Sequence, residues 1–192
     1  MGVEVRLWVD SEPGNDPARR VLVLPGARYG IERPGLAWPA RALTLRGWQV
    51  WTAEWSMPMD QPSAERQPLV DAAVADFVQQ NDALPQLVLA KSVGTLAAGW
   101  VADHSIPALW TTPLLIDDEC VSNIARASSP ALLIAGSRDH TWDDDGARRA
   151  ATTIHRIRGA DHGWQTGDWR TELDAVEQLT REVERFAATL ED

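Results

Sequence analysis

The chain has 192 residues, enough for one domain with a sizeable core, and a formal net charge of −10. That acidity argues against nucleic acid or an anionic membrane surface as partner, since both need clustered positive charge. Met1 to Asp10 carries Glu4, Arg6 and Asp10 instead of a leader's apolar run, no window approaches a membrane span, and the single cysteine, Cys120, forbids an internal disulfide. A reducing, cytoplasmic setting is expected, with Cys120 a buried and idle thiol.

Taken in chain order, Val3 to Val9 alternates loosely and predicts an edge strand. Val21 to Leu24 is a compact apolar run ended by Pro25-Gly26. Leu36 to Arg46 reads as a helix with Gly47 past its end, and Trp48 to Ala53 as a strand. Trp55 to Arg66 holds two prolines and little periodicity, which predicts a loop. Gln67 to Asn81 is helical, with Val70, Val74, Phe77 and Val78 on one face. Leu87 to Ala90 is a strand, and Val93 to Trp100 starts a helix. Ala108 to Thr111 and Ala131 to Ala135 are strands, followed by a helix near Asp144 to Ala151 and a last strand at Thr153 to Ile157. Arg170 to Leu190 is the clearest helix: Leu173, Val176, Leu179, Val183, Phe186 and Leu190 recur every three or four residues.

Strands alternating with helices mean a mostly parallel sheet covered on both faces, a three-layer α/β/α sandwich in one domain over residues 1–192. In such sheets ligands sit beyond the carboxyl ends of the strands. Gly26, Ala27, Ser92, Asp139 and His162 all follow strand ends. Lys91-Ser92-Val93-Gly94 stands between a strand and a helix, the setting that pushes one hydroxyl into the open. A serine hydroxyl needs a base, histidine suits that work near neutral pH, and a carboxylate fixes the imidazole tautomer. The histidines lack the spacing of a zinc site, and the glycines match neither a phosphate loop nor a dinucleotide fingerprint, so no metal and no cofactor are expected.

On Leu24-Pro-Gly-Ala27, Ala90-Lys-Ser-Val-Gly94, Gly136-Ser-Arg-Asp139 and Ala160-Asp-His162-Gly163, the chain resembles a small, cap-less α/β-hydrolase of the serine type. It is similar to the dienelactone-hydrolase-like and carboxylesterase-like members along nearly its whole length. The resemblance implies Ser92 as nucleophile, Asp139 as acid and His162 as base, with oxyanion donors in the amides of Val93 and Ala27. It implies cleavage of an ester or related acyl bond. Only about twenty residues separate the strand at Ala108 to Thr111 from that at Ala131, too few for a lid, so a small acyl substrate is expected, and the chain is expected to be a monomer or homodimer. Two positions depart from the family pattern: Ala90 replaces the first glycine of Gly-x-Ser-x-Gly, and Pro25 replaces a histidine in the early loop. A non-catalytic binding or scaffold protein with a vestigial triad is therefore the alternative, and a thioesterase or peptidase would use the same residues.

Rivals exist at several positions. Asp117 and Asp118 are runner-up acids, and Asp161 reads as a turn residue. His104, His140 and His155 compete with His162; His104 is placed to satisfy carbonyls at a helix end. Trp38, Trp142 and Trp164 are candidates for the substrate pocket, with core packing the alternative for each. Lys91 is expected to point into solvent, because the elbow turns its neighbours away.

Overall fold

The computed structural model describes residues 2–11, 16–55, 62–150 and 152–190. Its seven strands are β1 (Val3–Leu7), β2 (Asp16–Leu24), β3 (Trp48–Trp55), β4 (Leu87–Lys91), β5 (Ala108–Thr111), β6 (Ala131–Gly136) and β7 (Thr153–Ile157). They form one sheet in the order β1-β3-β2-β4-β5-β6-β7, with β1 antiparallel to β3 and every other pair parallel.

The inner strands are mostly apolar because both faces are covered. Side chains alternate between two cores. Leu22, Leu24, Val88, Ala90, Trp110 and Leu133 point to one, and Val21, Val23, Leu87, Leu89, Leu109 and Ile134 to the other. The first core is closed by α2 (Ser63–Asn81), α3 (Ala98–Asp103), α4 (Asp118–Ala125) and α5 (Asp144–Ala150). The second is closed by α1 (Pro34–Leu45) and α6 (Trp169–Ala188). The result is the expected α/β/α sandwich. The connection from β5 to β6 carries only the short helix α4, so among the described residues no cap covers the strand ends.

Several boundaries differ from the sequence reading. The α2 helix begins at Ser63, not Gln67: Pro62 presets the extended residue before it, and Ala64 and Glu65 favour a helix. The rest of that predicted loop, 56–61, lies outside the described residues. The short α4 went unread; Asp117 caps it, its carboxylate accepting from the amides of Glu119 and Cys120. On α6, Val176, Leu179 and Val183 are buried, each stabilising the fold by about 1.5–3 kcal/mol, whereas Leu173 is 58% exposed. Leu173 lies in the first turns of α6, on the periodic stripe but away from the core. Cys120 is buried, and burial pushes its thiol up, in line with an idle group.

Candidate active site

The site is built outward from the end of β4. Ser92 has φ +51°, a left-handed conformation that costs a non-glycine residue energy. The chain then winds through a 3-10 turn, Ser92–Ala97, before α3 begins; the sequence had suggested a helix throughout. The Thr95 hydroxyl donates to the Ser92 carbonyl at 2.6 Å and holds the turn closed. Gly94 lets that turn lie directly on β2. A Cβ at this position would stand 2.4 Å from the Leu24 carbonyl oxygen. Ala90, in the place of the first elbow glycine, is fully buried and its methyl packs in the core.

Three loops bring the predicted triad residues together. His162 Nε2 lies 2.9 Å from Ser92 Oγ, and His162 Nδ1 lies 2.8 Å from Asp139 Oδ1. With Nδ1 protonated toward the carboxylate, Nε2 is left to accept the serine proton. Burial pushes the Asp139 carboxyl up, but the hydrogen bond and charge of His162, with the amide and hydroxyl of Thr141, outweigh it and hold the group below the usual carboxylate range. The Thr141 amide and hydroxyl each stand 2.9 Å from Asp139 Oδ1, and the hydroxyl is 3.1 Å from His162 Nδ1. Thr141 was not singled out from sequence; its only signal was its place two residues after Asp139.

The loop after β2 faces the elbow. Gly26 and Tyr29 exchange backbone hydrogen bonds of 3.1 and 3.3 Å, which leaves Ala27 and Arg28 at the tip. A Cβ on Gly26 would stand 3.6 Å from that of Ser92, so the loop passes beside the hydroxyl. The Val93 amide, second in the 3-10 turn, is among those without an intrahelical acceptor. The indole N–H of Trp55 donates to the Gly26 carbonyl at 3.3 Å. A cleft of about 390 Å³ opens here, lined by Gly26, Ala27, Arg28, Tyr29, Glu54 and Trp55.

Lys91 does not reach solvent; it is 1% exposed. Alternation along β4 puts it on the face of Leu87 and Leu89, inside the second core. Its ammonium donates to Thr112 Oγ1 and to the His162 carbonyl, both at 2.6 Å, and lies 4.5 Å from the centre of the Tyr29 ring. Burial lowers its pKa to about 7 against the raising fields of Asp139 and Asp161.

The remaining candidates lie elsewhere or have other duties. Asp117 caps α4, and Asp118 pairs with Arg149. Asp161 Oδ1 accepts the amides of Gly163 and Gln165, as a turn residue should. His104 Nδ1 meets the Trp100 carbonyl at a helix end, and His155 sits in β7 near Glu182. His140 is exposed, its ring 4.8 Å from that of His162. Among the described residues one group could hold a metal ion, Asp139, His140 and His162, and two of these already engage each other. The structure does not bring the three tryptophans together. Trp38 is 59% exposed and lines a groove with Leu173 and Val176 of α6. Trp164 is buried in the second core against Gly35. Trp142 flanks the Asp139 loop, its indole N–H donating to Asp144 and its ring under Arg156.

No protein-family model matches the chain, and no curated protein matches it. Solved structures do. Est1E from Butyrivibrio proteoclasticus, also solved with ferulic acid bound, superposes with a TM-score of 0.71 at 13% identity, covering 98% of this chain and 93% of that one. An alpha-beta serine hydrolase homologue from Coxiella burnetii gives 0.66 at 14% identity over 94% and 90%. A serine hydrolase without lid from Xanthomonas campestris gives 0.65 at 18% identity over 96% and 88%. At such identities the likeness is one of fold.

Proposed function

We propose that this chain, which has the α/β-hydrolase fold without a cap domain, is a serine hydrolase that cleaves an ester or related acyl bond of a small substrate. One observation carries the reading: the unbroken relay from Ser92 Oγ through His162 to Asp139, at 2.9 and 2.8 Å, on a serine held in a left-handed turn.

Ser92 Oγ attacks the acyl carbon as its proton passes to His162 Nε2. The carbonyl electrons move onto oxygen, where the amides of Val93 and Ala27 hold the charge; one such donor contributes about 3 kcal/mol of barrier lowering. Asp139 steadies the imidazolium. His162 then gives the proton to the leaving group as its bond to carbon breaks, leaving an acyl-serine. Water repeats the sequence in reverse and restores the hydroxyl. The cleft beside the oxyanion loop takes one arm of the substrate against Trp55. Ferulic acid on Est1E makes aromatic acyl groups a natural first panel, alongside short aliphatic ones.

Two experiments test this. A fluorophosphonate probe labels Ser92, mapped by mass spectrometry, and folded Ser92→Ala neither labels nor turns over a nitrophenyl ester. A folded wild-type chain that does neither would leave a binding or scaffold role instead.

A further inference from the structure

Lys91 is the only lysine in the chain; every other basic residue among the eighteen lysines and arginines is an arginine. That one lysine directly precedes Ser92 and is sealed from solvent at the centre of the sheet's working edge. Its contacts come from three elements. Thr112, just past β5, accepts one hydrogen bond at 2.6 Å; the His162 carbonyl, in the loop after β7, accepts another at 2.6 Å; and the Tyr29 ring, in the loop after β2, lies 4.5 Å away. A methionine of the same length could fill this space without the cost of burying a charge. What the ammonium adds is direction: short charge-assisted bonds and a cation over a ring fix the loops that meet it.

We propose that Lys91 is a positioning residue for the hydrolytic site, tying the backbone of His162 and the ring of Tyr29 to the end of β4 so that the imidazole and the oxyanion loop keep their places against Ser92. This rests on the serine hydrolase reading. The His162 imidazole needs such a tie: its ring is held to Asp139 and Thr141 at one nitrogen, but its backbone sits in a turn with Asp161 and Gly163, and the ammonium anchors that turn to the sheet. Tyr29 closes the oxyanion turn through its bonds to Gly26, and its hydroxyl accepts from the Gly35 amide at 2.9 Å, so fixing the ring fixes the turn.

The charge itself is balanced locally. Asp139 after β6 and Asp161 after β7 are the anions whose fields favour the ammonium. The His162 imidazole lies beyond its own carbonyl, bonded to Asp139. The phenol of Tyr29 is pushed up by burial and stays neutral, and Thr112 offers a hydroxyl that does not titrate. Burial lowers Lys91 to about 7, within reach of neutral solution, where an arginine would stay charged.

The test compares wild type with Lys91→Met on a nitrophenyl ester and, separately, by proton NMR of the imidazole proton between His162 and Asp139. The proposal expects kcat lower by roughly 10- to 100-fold with KM nearly unchanged, an unlowered Tm, and a displaced or broadened imidazole resonance. Wild-type kcat with an unmoved resonance would overturn it. A loss of kcat that merely followed a fall in Tm would also overturn it, because the lysine would then be structural. If Lys91→Met does not fold, the unmutated protein decides: nitrogen-15 lysine labelling gives a single Nζ signal, and its titration must reappear in the His162 resonance. Lysine titration that leaves that resonance still would refute the tie. Should wild type neither turn over nor label at Ser92, the hydrolase reading falls, while the NMR comparison still judges whether Lys91 holds the imidazole.

Discussion

Gly94 lies so close to Leu24 that a Cβ on it would stand 2.4 Å from the Leu24 carbonyl oxygen. The turn bearing Ser92 and the strand β2 therefore meet backbone to backbone, and the depth of the Ser92 hydroxyl is set by that contact. Gly94→Ala forces the turn off β2. We expect a loss of about 1–3 kcal/mol in urea unfolding, the usual cost of overpacking. We also expect slower labelling of Ser92, since Val93 and the hydroxyl ride on the same turn. A variant as stable and as reactive as wild type would show that the turn can slide at no cost.

Asp139→Asn keeps the shape but removes the charge that opposes the imidazolium. By the usual behaviour of such triads kcat falls by about 10⁴-fold. The measurement is kcat on a nitrophenyl ester with circular dichroism as the folding check.

The same carboxylate leaves a mark on stability. Its folded pKa lies below its ordinary value of 3.8, so the unfolded chain binds its proton first as pH falls. The stabilisation is present above that value and disappears as pH drops through the lower, folded one. Urea midpoints measured from pH 6 down to pH 3 should fall in wild type and fall less steeply in Asp139→Asn.

Lys91 gives a slope of the same sign on the alkaline side, there from the relief of a cost. Its folded value of about 7 lies below the ordinary 10.5, so between those limits the unfolded chain holds the extra proton. Stability then rises with pH, and the cost of the buried charge, on the order of a few kcal/mol at and below pH 7, is relieved by about pH 10. Lys91→Met, which lacks this group, should be the more stable protein at pH 7, with the gap in Tm narrowing as pH rises toward 10. A gap that widened would reverse the sign.

Thr141→Val removes the hydroxyl 2.9 Å from Asp139 Oδ1 while keeping the backbone amide there. A hydrogen bond to a charged group contributes about 1.5–3 kcal/mol, so kcat should drop by roughly tenfold to a hundredfold and the Asp139 carboxyl should move up. Carbon-13 NMR of labelled aspartate reads the second effect directly.

Much of this architecture was legible because it is local. The strands Val21–Leu24, Leu87–Ala90, Ala108–Thr111 and Ala131–Ala135 are short apolar runs closed by turn residues, and their pattern alone marks them as the sheet's interior strands. Ser92, Asp139 and His162 were visible because each stands in a small-residue turn just past a strand, and parallel strands carry all such turns to one edge. The α4 helix was not legible: it has eight residues, too few for a periodic signal, and rests on the Asp117 cap.

The amino-acid order by itself determined the layered fold and the set of residues presented at the carboxyl edge, since both follow from hydrophobic period and turn chemistry along a few neighbouring residues. Only the tertiary structure decided the fates of Lys91, Trp38 and Trp164. Trp38 and Trp164 are the same residue type, yet Trp38, on α1, is 59% exposed beside α6 and Trp164, in the turn after His162, is buried against Gly35. Lys91 obeys strand alternation into a core where three loops distant in sequence happen to supply two oxygens and a ring. A buried charge is tolerated only where such partners converge, and convergence over 21 to 71 residues of chain is a property of packing, not of any local pattern.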